Sequence, residues 1–577
     1  MLTFTQLVVR NVAYHARGNF AVLLGVAVGS AVLTGALLVG DSLRGSLRAR
    51  AERQLGGVDA VALFPRPVRA ELADALPNAK PVLLLPGSLQ AAGSPATAAR
   101  LGRVTVLGVD ERFAPNGAKA DWSGNAKQIA LAPRAAEKLG AKVGDRVRLG
   151  VEKFGELPRS SSLAERDTDS STATDEFEVI AVLPADAPEG DFNLSPNPAA
   201  PLNVFVPLRA LARLATGRPN PVCTALLTTG TSADELNASL RAKLKAEDYG
   251  IKFRDIERRL GRGGYVSIES TELVFPPRTV AGIEAAARAL NVRAEPTVVY
   301  VADALAAGKK EIPFPIVAGL NTLAKSPLSP VELAPQPAPT GPRELADDEV
   351  DLLEWTGSEL NNLAPGTKIR LVYFDPEVEG EGLKREAQLT LRGYVPFTGP
   401  ARDKDLTPEI PGVTDVRAEL RNWNRPPVLP KAEIERRVPE KPVAHPRGTF
   451  FTQNKAVPMA YLNTATARKL FKSRYGTDTS VRVAPANGEA LDKLIERLQS
   501  ELPKHLDPKA AGLAFDPIRE RLLTASKGGT DFGGLFLGFS LFLIVAALML
   551  VGLMFRLALE RRAKQIGLLL ATGYSVK

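Results

Sequence analysis

The chain has 577 residues, 45% hydrophobic and 24% charged, a composition of folded domains rather than of a disordered or collagen-like polymer. Its formal charge of +9 is spread as Lys and Arg among acids, with no basic run of five and no aromatic interleaving, which argues against nucleic-acid binding. The single cysteine, Cys223, excludes an intrachain disulfide framework.

Residues 1–19 read as a short amphipathic helix suited to the inner membrane surface, with Leu7, Val8, Val12 and Tyr14 apolar and Arg10 and Arg17 between them. Residues 20–39 (FAVLLGVAVGSAVLTGALLV) carry no charge over about 20 positions, the length of a membrane span. A signal peptide would have a shorter apolar core followed by an A-x-A site, and none follows here. Gly25 and Gly29 form a G-x-x-x-G face that admits a close partner helix, and the later span offers Gly534 and Gly538. From 41 to 55, Leu43, Leu47, Ala51 and Leu55 recur every four residues, as in a helix continuing out of the membrane like a stalk.

The region between the spans repeats itself. ALFPRPVRAELADAL from Ala62 returns as LVFPPRTVAGIEAAARAL from Leu273, and VTVLGVDERF from Val104 as FPIVAGLNTL from Phe314. IALAPRAAEKLGAKVGDRVRL from Ile129 returns as VDLLEWTGSELNNLAPGTKIRL from Val350, FEVIAVLP from Phe177 as LTLRGYVP from Leu389, and IKFRDIERRL from Ile251 as LAFDPIRERL from Leu513. The shared order of these marks places one copy at 59–262 and a second at 263–524. Alternating β-branched runs (104–109, 147–149, 177–183, 203–206, 225–229) and helical spacings (133–139, 208–214, 233–245) predict an α+β fold, with Ser232 and Asp234 near a helix start. Gly144-Asp145 and Pro365-Gly366 fall at matching turns before a strand. Residues 160–175 read as a polar loop, and 335–342 and 426–446 as proline-rich surface connections.

The second span, 532–555 (FGGLFLGFSLFLIVAALMLVGLMF), is uncharged over about 24 residues, roughly 36 Å of helix. Arg556 follows, then Glu560 and the basic residues Arg561, Arg562 and Lys564, marking the cytoplasmic side. Two spans then put the N-terminus inside as well. Arg44, Arg48, Arg50 and Arg53 after the first span oppose that orientation, but a long translocated region overrides such charges.

The stretch ERRAKQIGLLLATG, from Glu560 to Gly573, resembles the "ERRxxEIGxLRAxG" segment after the second membrane helix of FtsX-like, MacB-type ABC transporter permeases; the entry helix and 472–483 (KSRYGTDTSVRV) resemble that family as well. The resemblance implies a multi-pass inner-membrane protein of bacteria whose large α+β region, of the MacB-like periplasmic core type, is extracytoplasmic. It also implies that Glu560, Arg561, Arg562, Gln565, Ile566, Leu569, Leu570 and Gly573 dock on a separate ATPase subunit, and that the permease itself is not an enzyme. Gln565 stands where the family usually has an acid, and Leu570 where it often has Arg. The family usually has four membrane helices, so a chain reaching Lys577 about 20 residues after its second span is expected to be truncated or one half of a split permease, pairing with a second half or with itself. A membrane-anchored sensor or adhesion protein without an ATPase is the alternative; a membrane-anchored hydrolase has only the size of the region in its favour.

The residues support no chemistry of their own. G-x-x-x-x-G-K-[ST] is absent, as are H-E-x-x-H and G-x-S-x-G, and His15, His445 and His505 are far apart in sequence. No catalytic residue, metal site or cofactor is expected. The organisation read from the sequence is therefore 1–19 cytoplasmic, 20–40 membrane helix, 41–58 stalk, 59–262 and 263–524 the two copies, 525–559 linker and second membrane helix, and 560–577 coupling segment.

Overall fold

The computed structural model describes residues 4–92, 100–116, 118–154, 172–195, 201–257, 264–320, 328, 345–378, 383–409, 414, 437, 450, 453–454, 456–486, 488–526 and 532–573. Most of the polar loop expected at 160–175, the proline-rich stretches 335–342 and 426–446 apart from Arg437, His445 and the surroundings of Gly534 lie outside the described residues. The chain forms two compact units. One contains Met1–Val61, Ala185–Pro201 and Pro517–Lys577, the other Ala62–Pro184 and Leu202–Asp516.

The first unit starts with α1 (Phe4–Tyr14) and α2 (Ala16–Leu55), separated at His15. α2 continues without a break from the uncharged run into the stalk, and stops at Gly56, whose left-handed φ of 55° lets its N–H close on the Arg53 carbonyl. Of the apolar edge expected at Leu43, Leu47, Ala51 and Leu55, Ala51 and Leu55 are buried and Leu47 is exposed, while the side chain of Leu43 lies outside the described residues. Burial at the stalk end runs through Ala51, Gln54, Leu55 and Val58, three and four residues apart, where Phe192 comes against Gly56.

In the second unit the chain passes through β1 (Ala60–Arg69), β2 (Lys80–Ala91), β3 (Arg100–Val109), β4 (Gln128–Leu131), α3 (Pro133–Leu139), β5 (Arg146–Glu152), β6 (Thr172–Val182) and β7 (Asn203–Pro207). Then come α4 (Leu208–Thr216), β8 (Val222–Thr228), α5 (Ala233–Lys243) and β9 (Ile251–Ile256). Local signals fix these helices: Pro133 opens α3 and left-handed Gly140 closes it, while Ser232 caps α5 by accepting the Glu235 N–H. The second passage runs β10 (Tyr265–Ser270), α6 (Pro277–Ala289), β11 (Arg293–Val301), β12 (Ala304–Ala307), β13 (Lys310–Pro313), β14 (Ile316–Gly319), β15 (Glu349–Glu354), β16 (Lys368–Phe374) and β17 (Lys384–Pro396). It ends with β18 (Ala460–Leu462), α7 (Thr464–Leu470), β19 (Ser480–Ala484), α8 (Leu491–His505) and β20 (Phe515–Asp516). α9 (Ile518–Ser526) and α10 (Phe532–Ala571) return the chain to the first unit.

Two sheets result, ordered β20-β1-β8-β2-β3-β7-β4-β6-β5 and β9-β10-β19-β11-β14-β18-β15-β17-β16-β12-β13. Strand for strand the orders agree. β3–β7 and β14–β18 are parallel, as are β4–β6 and β15–β17, and both of the latter pairs carry an irregularity, at Ile129/Ala130 and at Val350/Asp351. β12 and β13 are the outer halves of a hairpin that β2 and β3 form unbroken: β2 pairs with β5 through residues 87–91, and β12 with β16 through 304–306. The expected turns are also equivalent. Gly144 (φ 94°) donates to the Val179 carbonyl at 2.8 Å and Gly366 (φ 89°) to the Leu391 carbonyl at 2.7 Å, a backbone state that only glycine holds without strain.

Two of the sequence marks are out of register with this geometry. Gly108 and Gly319 each stand beside the last residue before a helix cap, Val206 and Leu462, so they correspond to each other, one position from the sequence match. A Cβ at either would run into the helix packed above, at Leu211 of α4 or Ala467 of α7. Phe64-Pro65 lies inside β1, whereas Phe275-Pro276 forms the turn before α6, so the shared Phe-Pro pair joins positions that the fold does not make equivalent.

The closing strands change places. β9, at the end of the first passage, pairs antiparallel with β10 of the second sheet, Tyr265 opposite Ile256 and Ser270 opposite Ile251, while β20 lies beside β1 in the first sheet. Sequence copies and sheets therefore do not coincide at their ends. Each sheet has its own apolar core: Leu83, Val106, Leu149, Phe177, Val204 and Leu211 in the first, Ile316, Leu352, Leu371, Leu391, Tyr461 and Phe471 in the second.

Candidate functional site

α10 is a single helix of 40 residues, about 60 Å long, that carries the uncharged run directly into Glu560–Ala571. Among the described residues, Leu541–Ala571 is long and apolar enough to cross a membrane, and Ala16–Ala31 of α2 is a shorter apolar stretch. Leu541, Phe542, Leu548, Met549, Leu553 and Phe555 present their side chains outward, as lipid contact requires.

α2 and α10 lie antiparallel. A Cβ on Gly29 would sit 3.2 Å from Ala547 Cβ, and one on Gly25 would sit 3.7 Å from Val551 Cγ2. The two glycines thus meet Ala547 and Val551. Extended by nine residues, the same register brings Gly538 level with Leu38, and a Cβ on Gly538 would have nothing within 4 Å. The G-x-x-x-G face of α2 therefore packs on Ala547 and Val551 of α10, because the antiparallel register carries Gly538 past it.

Where the pair reaches its basic end, a polar clasp joins α10 to the α1–α2 junction. Arg562 donates to Asn19 Oδ1 at 3.1 Å and to Asn11 Oδ1 at 3.4 Å. His15 Nε2 lies 3.2 Å from Gln565 Oε1, and Asn19 Nδ2 donates to the Val12 carbonyl at 3.2 Å. Asn11, His15 and Asn19 stand four apart, one face of a helix, opposite Arg562 and Gln565 three apart on the other. That spacing of polar residues in an otherwise apolar and basic segment is the mark of the clasp in the sequence, and the ERRAKQIGLLLATG motif contains only its Arg562 and Gln565 half.

The remaining residues of the coupling stretch fall on other sides of α10. Glu560 pairs with Arg556 at 3.1 Å, both exposed, and Arg561 is exposed. Ile566 and Leu570 are exposed, Leu569 is half-buried, and Gly573 ends the helix with a φ of 93°. Arg562 and Gln565 thus bind α1 and α2, leaving Ile566, Leu568 and Leu570 as the open apolar positions.

A second cluster of charge lies within the second sheet. Arg482 of β19, 2% exposed, donates to Thr297 Oγ1 at 3.0 Å and to the Leu328 carbonyl, and stands 3.6 Å from Glu295, which also pairs with Arg293 at 2.8 Å. Alongside, Arg254 of β9 bridges Glu269 at 2.8 Å and Asp405 at 3.0 Å, and the Tyr265 hydroxyl donates to Asp403 at 2.9 Å. Burial pushes the Asp403 carboxyl above its ordinary value against the pull of the Tyr265 hydrogen bond, and burial with the Asp403 charge holds the Tyr265 phenol up. Desolvation pulls the Arg254 guanidinium down, but Glu269 and Asp405 outweigh it and leave it raised. At the equivalent positions the first sheet has Lys80 opposite Leu227 where the second has Glu295 opposite Arg482. The cluster is a brace under residues 399–409.

Among the described residues no group of three or more His, Cys, Asp or Glu is placed to hold a metal ion. Cys223 is fully buried in β8, where desolvation and the Asp248 charge push its thiol up. His505 pairs with Glu501 of its own helix at 3.0 Å.

Residues 20–243 match the family model of the MacB-like periplasmic core domain. Among solved structures, the periplasmic region of MacB from Actinobacillus actinomycetemcomitans is 11% identical over 33% of this chain and 86% of its own, with a TM-score of 0.22. The extracellular domain of the noncanonic ABC-type transporter YknZ from Gram-positive bacteria is 13% identical over 34% of this chain and 96% of its own, also with a TM-score of 0.22. The comparison with curated proteins finds no match. Residues 20–243 accordingly carry a MacB-like periplasmic core domain, in a chain with an apolar N-terminal helix and one long apolar C-terminal helix.

Proposed function

We propose that the chain is the membrane-spanning subunit of an ABC transporter of the FtsX-like, MacB-type kind, with α2 and α10 crossing the bacterial inner membrane as an antiparallel pair and a duplicated α+β region outside. The observation that carries the reading is the unbroken passage of α10 from its apolar run into ERRAKQIGLLLATG, with Ile566 and Leu570 exposed. A rigid helix of that length converts a push at its cytoplasmic end into tilt at the other. The match to a MacB-like periplasmic core domain supports the assignment of the sheets to the outside and a role that is not enzymatic.

In this mechanism ATP-driven closure of a separate ATPase dimer presses on Glu560–Gly573. α10 tilts, α2 follows because Gly25 and Gly29 hold it close, and α1 follows through the clasp of Arg562 with Asn11 and Asn19. The movement leaves the membrane through α9 and the stalk and alters the extracytoplasmic sheets, for export or for handling of a lipoprotein. A second permease half or a second copy, and membrane lipid, complete the assembly.

Recovery of the ATPase tests this. Burying one aliphatic side chain contributes about 1.5–3 kcal/mol, so an aspartate at Leu570, which is exposed one turn after Ile566, removes the apolar edge of the docking segment. Leu570→Asp is expected to abolish copurification of the ATPase while the protein still inserts in the membrane. Undiminished recovery would favour a membrane-anchored sensor or adhesion protein that needs only the basic residues.

A further inference from the structure

Chain connectivity treats the two sheets unequally. α2 runs into β1, and β20 runs into α9 and α10; β1 and β20 are neighbours in the first sheet. Had β20 stayed in the sheet of its own sequence copy, α10 would follow from the second sheet instead. A third connection adds to these two. The link between β6 and β7, Ala185–Pro201, belongs to the unit of the membrane helices, although both flanking strands belong to the sheets.

The link is built onto the stalk. After the turn at Pro188–Asp191, Phe192 and Leu194 are buried, and the Phe192 ring lies 3.7 Å from where a Cβ on Gly56 would stand. The Asn193 N–H donates to the Gln54 carbonyl at 2.9 Å, and Asn193 Oδ1 accepts the Ser195 N–H at 2.9 Å, fixing the loop's own curvature. Gln54 is 6% exposed, so this is a packed joint rather than a surface graze. The corresponding link of the second sheet, between β17 and β18, stays with the sheets: Ala401 and Leu406 are buried there, and Asp405 binds Arg254 of β9.

We infer that residues 185–195 work as part of the stalk and pass stalk movement to β6 and, along the chain, to β7, which makes the first sheet the driven one and the second sheet its follower through the exchanged strands β9 and β20. β7 lies between β3 and β4 in the interior of the first sheet, so a displacement entering there reaches strands on both sides. The source of the movement rests on the coupling reading above; the joint itself does not. Phe192, Asn193 and Gln54 are positioning residues in this scheme.

The test uses the full chain in native membranes with Gln54→Cys and Asn193→Cys, the natural Cys223 being buried. Mild oxidation is expected to join the pair, read as a cross-linked peptide by mass spectrometry, and Phe192→Ala to cut the yield about tenfold or more. In hydrogen exchange, Phe192→Ala should lower protection at the end of β6 and in β7 on the order of a hundredfold, leaving β17 and β18 unchanged, while Phe192→Leu stays near the parent protein. Absence of the cross-link, or equal loss of protection in both sheets, overturns the inference. With the ATPase present, the disulfide-locked protein should keep its coupled ATPase rate and Phe192→Ala should lose it; loss on locking would mean that the loop slides on the stalk, and would also overturn it. If the cross-link and exchange behave as expected but no ATPase binds, the coupling reading fails and the joint stands.

Discussion

Replacing Arg482 isolates what the buried charge cluster contributes, because the first sheet supplies its own control. Arg482→Leu removes a hydrogen bond to Thr297, another to the Leu328 carbonyl and the pairing with Glu295. Breaking a buried pair by deleting one partner costs about 3–5 kcal/mol. Here the low end applies, since Glu295 keeps Arg293 at 2.8 Å. The double variant Arg482→Leu with Glu295→Met removes both buried charges, leaving only the half-exposed Arg293, and imitates the first sheet, where Leu227 is apolar and fully buried at the equivalent position. Apolar replacement of a whole buried pair is often neutral or better, so the double variant should regain most of the loss. Trp355 reports from the core of the second sheet, stacked on Phe450 with ring centroids 4.0 Å apart, and with Trp122 and Trp423 changed to Phe its fluorescence follows that sheet alone. With a urea dependence of about 3 kcal/mol per M, a 3 kcal/mol loss moves the midpoint down about 1 M for the single variant. A double variant as unstable as the single one would refute the reasoning, since the Glu295 carboxylate left without Arg482 would then not be the source of the cost.

Two further outcomes follow from the same geometry. Burial holds the Asp403 carboxyl above its ordinary value of 3.8, so the folded brace favours the protonated form; that contribution is complete below the ordinary value and is lost as pH rises through the raised one. Hydrogen exchange of residues 399–409, corrected for intrinsic rate, should therefore show falling protection as pH is raised across that window, and a flat profile counts against the assignment. Gly29→Leu places a branched side chain where even a Cβ lies 3.2 Å from Ala547, and overpacking of this kind costs about 1–3 kcal/mol, a factor of roughly 5–150 in helix pairing. A cysteine pair at Gly25 and Val551 should lose cross-linking in that background, and unchanged cross-linking would show that the close approach is not needed.

Much of this architecture was legible because it rests on short-range signals. Pro133 and Gly140 bracket α3 at the residues the sequence indicated, Ser232 caps α5, and the left-handed glycines Gly144 and Gly366 occupy the same turn in both passages. The order of the repeat marks agrees with two sheets of one strand order. The exchange of β9 and β20 was not legible, since IKFRDI and LAFDPI fit an edge strand of either sheet equally well and pairing partners are decided by distant backbone. The same holds at the membrane end. Residue types around Arg562 and Gln565 suggested docking, but which face of α10 they occupy depends on the antiparallel register with α2, in which Gly25 and Gly29 meet Val551 and Ala547 rather than Gly538.

The central claim is that the open edge of α10 beyond its apolar run meets an ATPase, and photo-crosslinking from that edge tests it most directly. A photoreactive side chain at Leu570, which is 45% exposed, is expected to capture in intact cells a nucleotide-binding subunit identified by peptides of its G-x-x-x-x-G-K-[ST] loop protein, whereas the same probe at Leu553, 57% exposed within the apolar run, should capture none. Capture of lipid alone from Leu570, or of the same products from both positions, would contradict the claim.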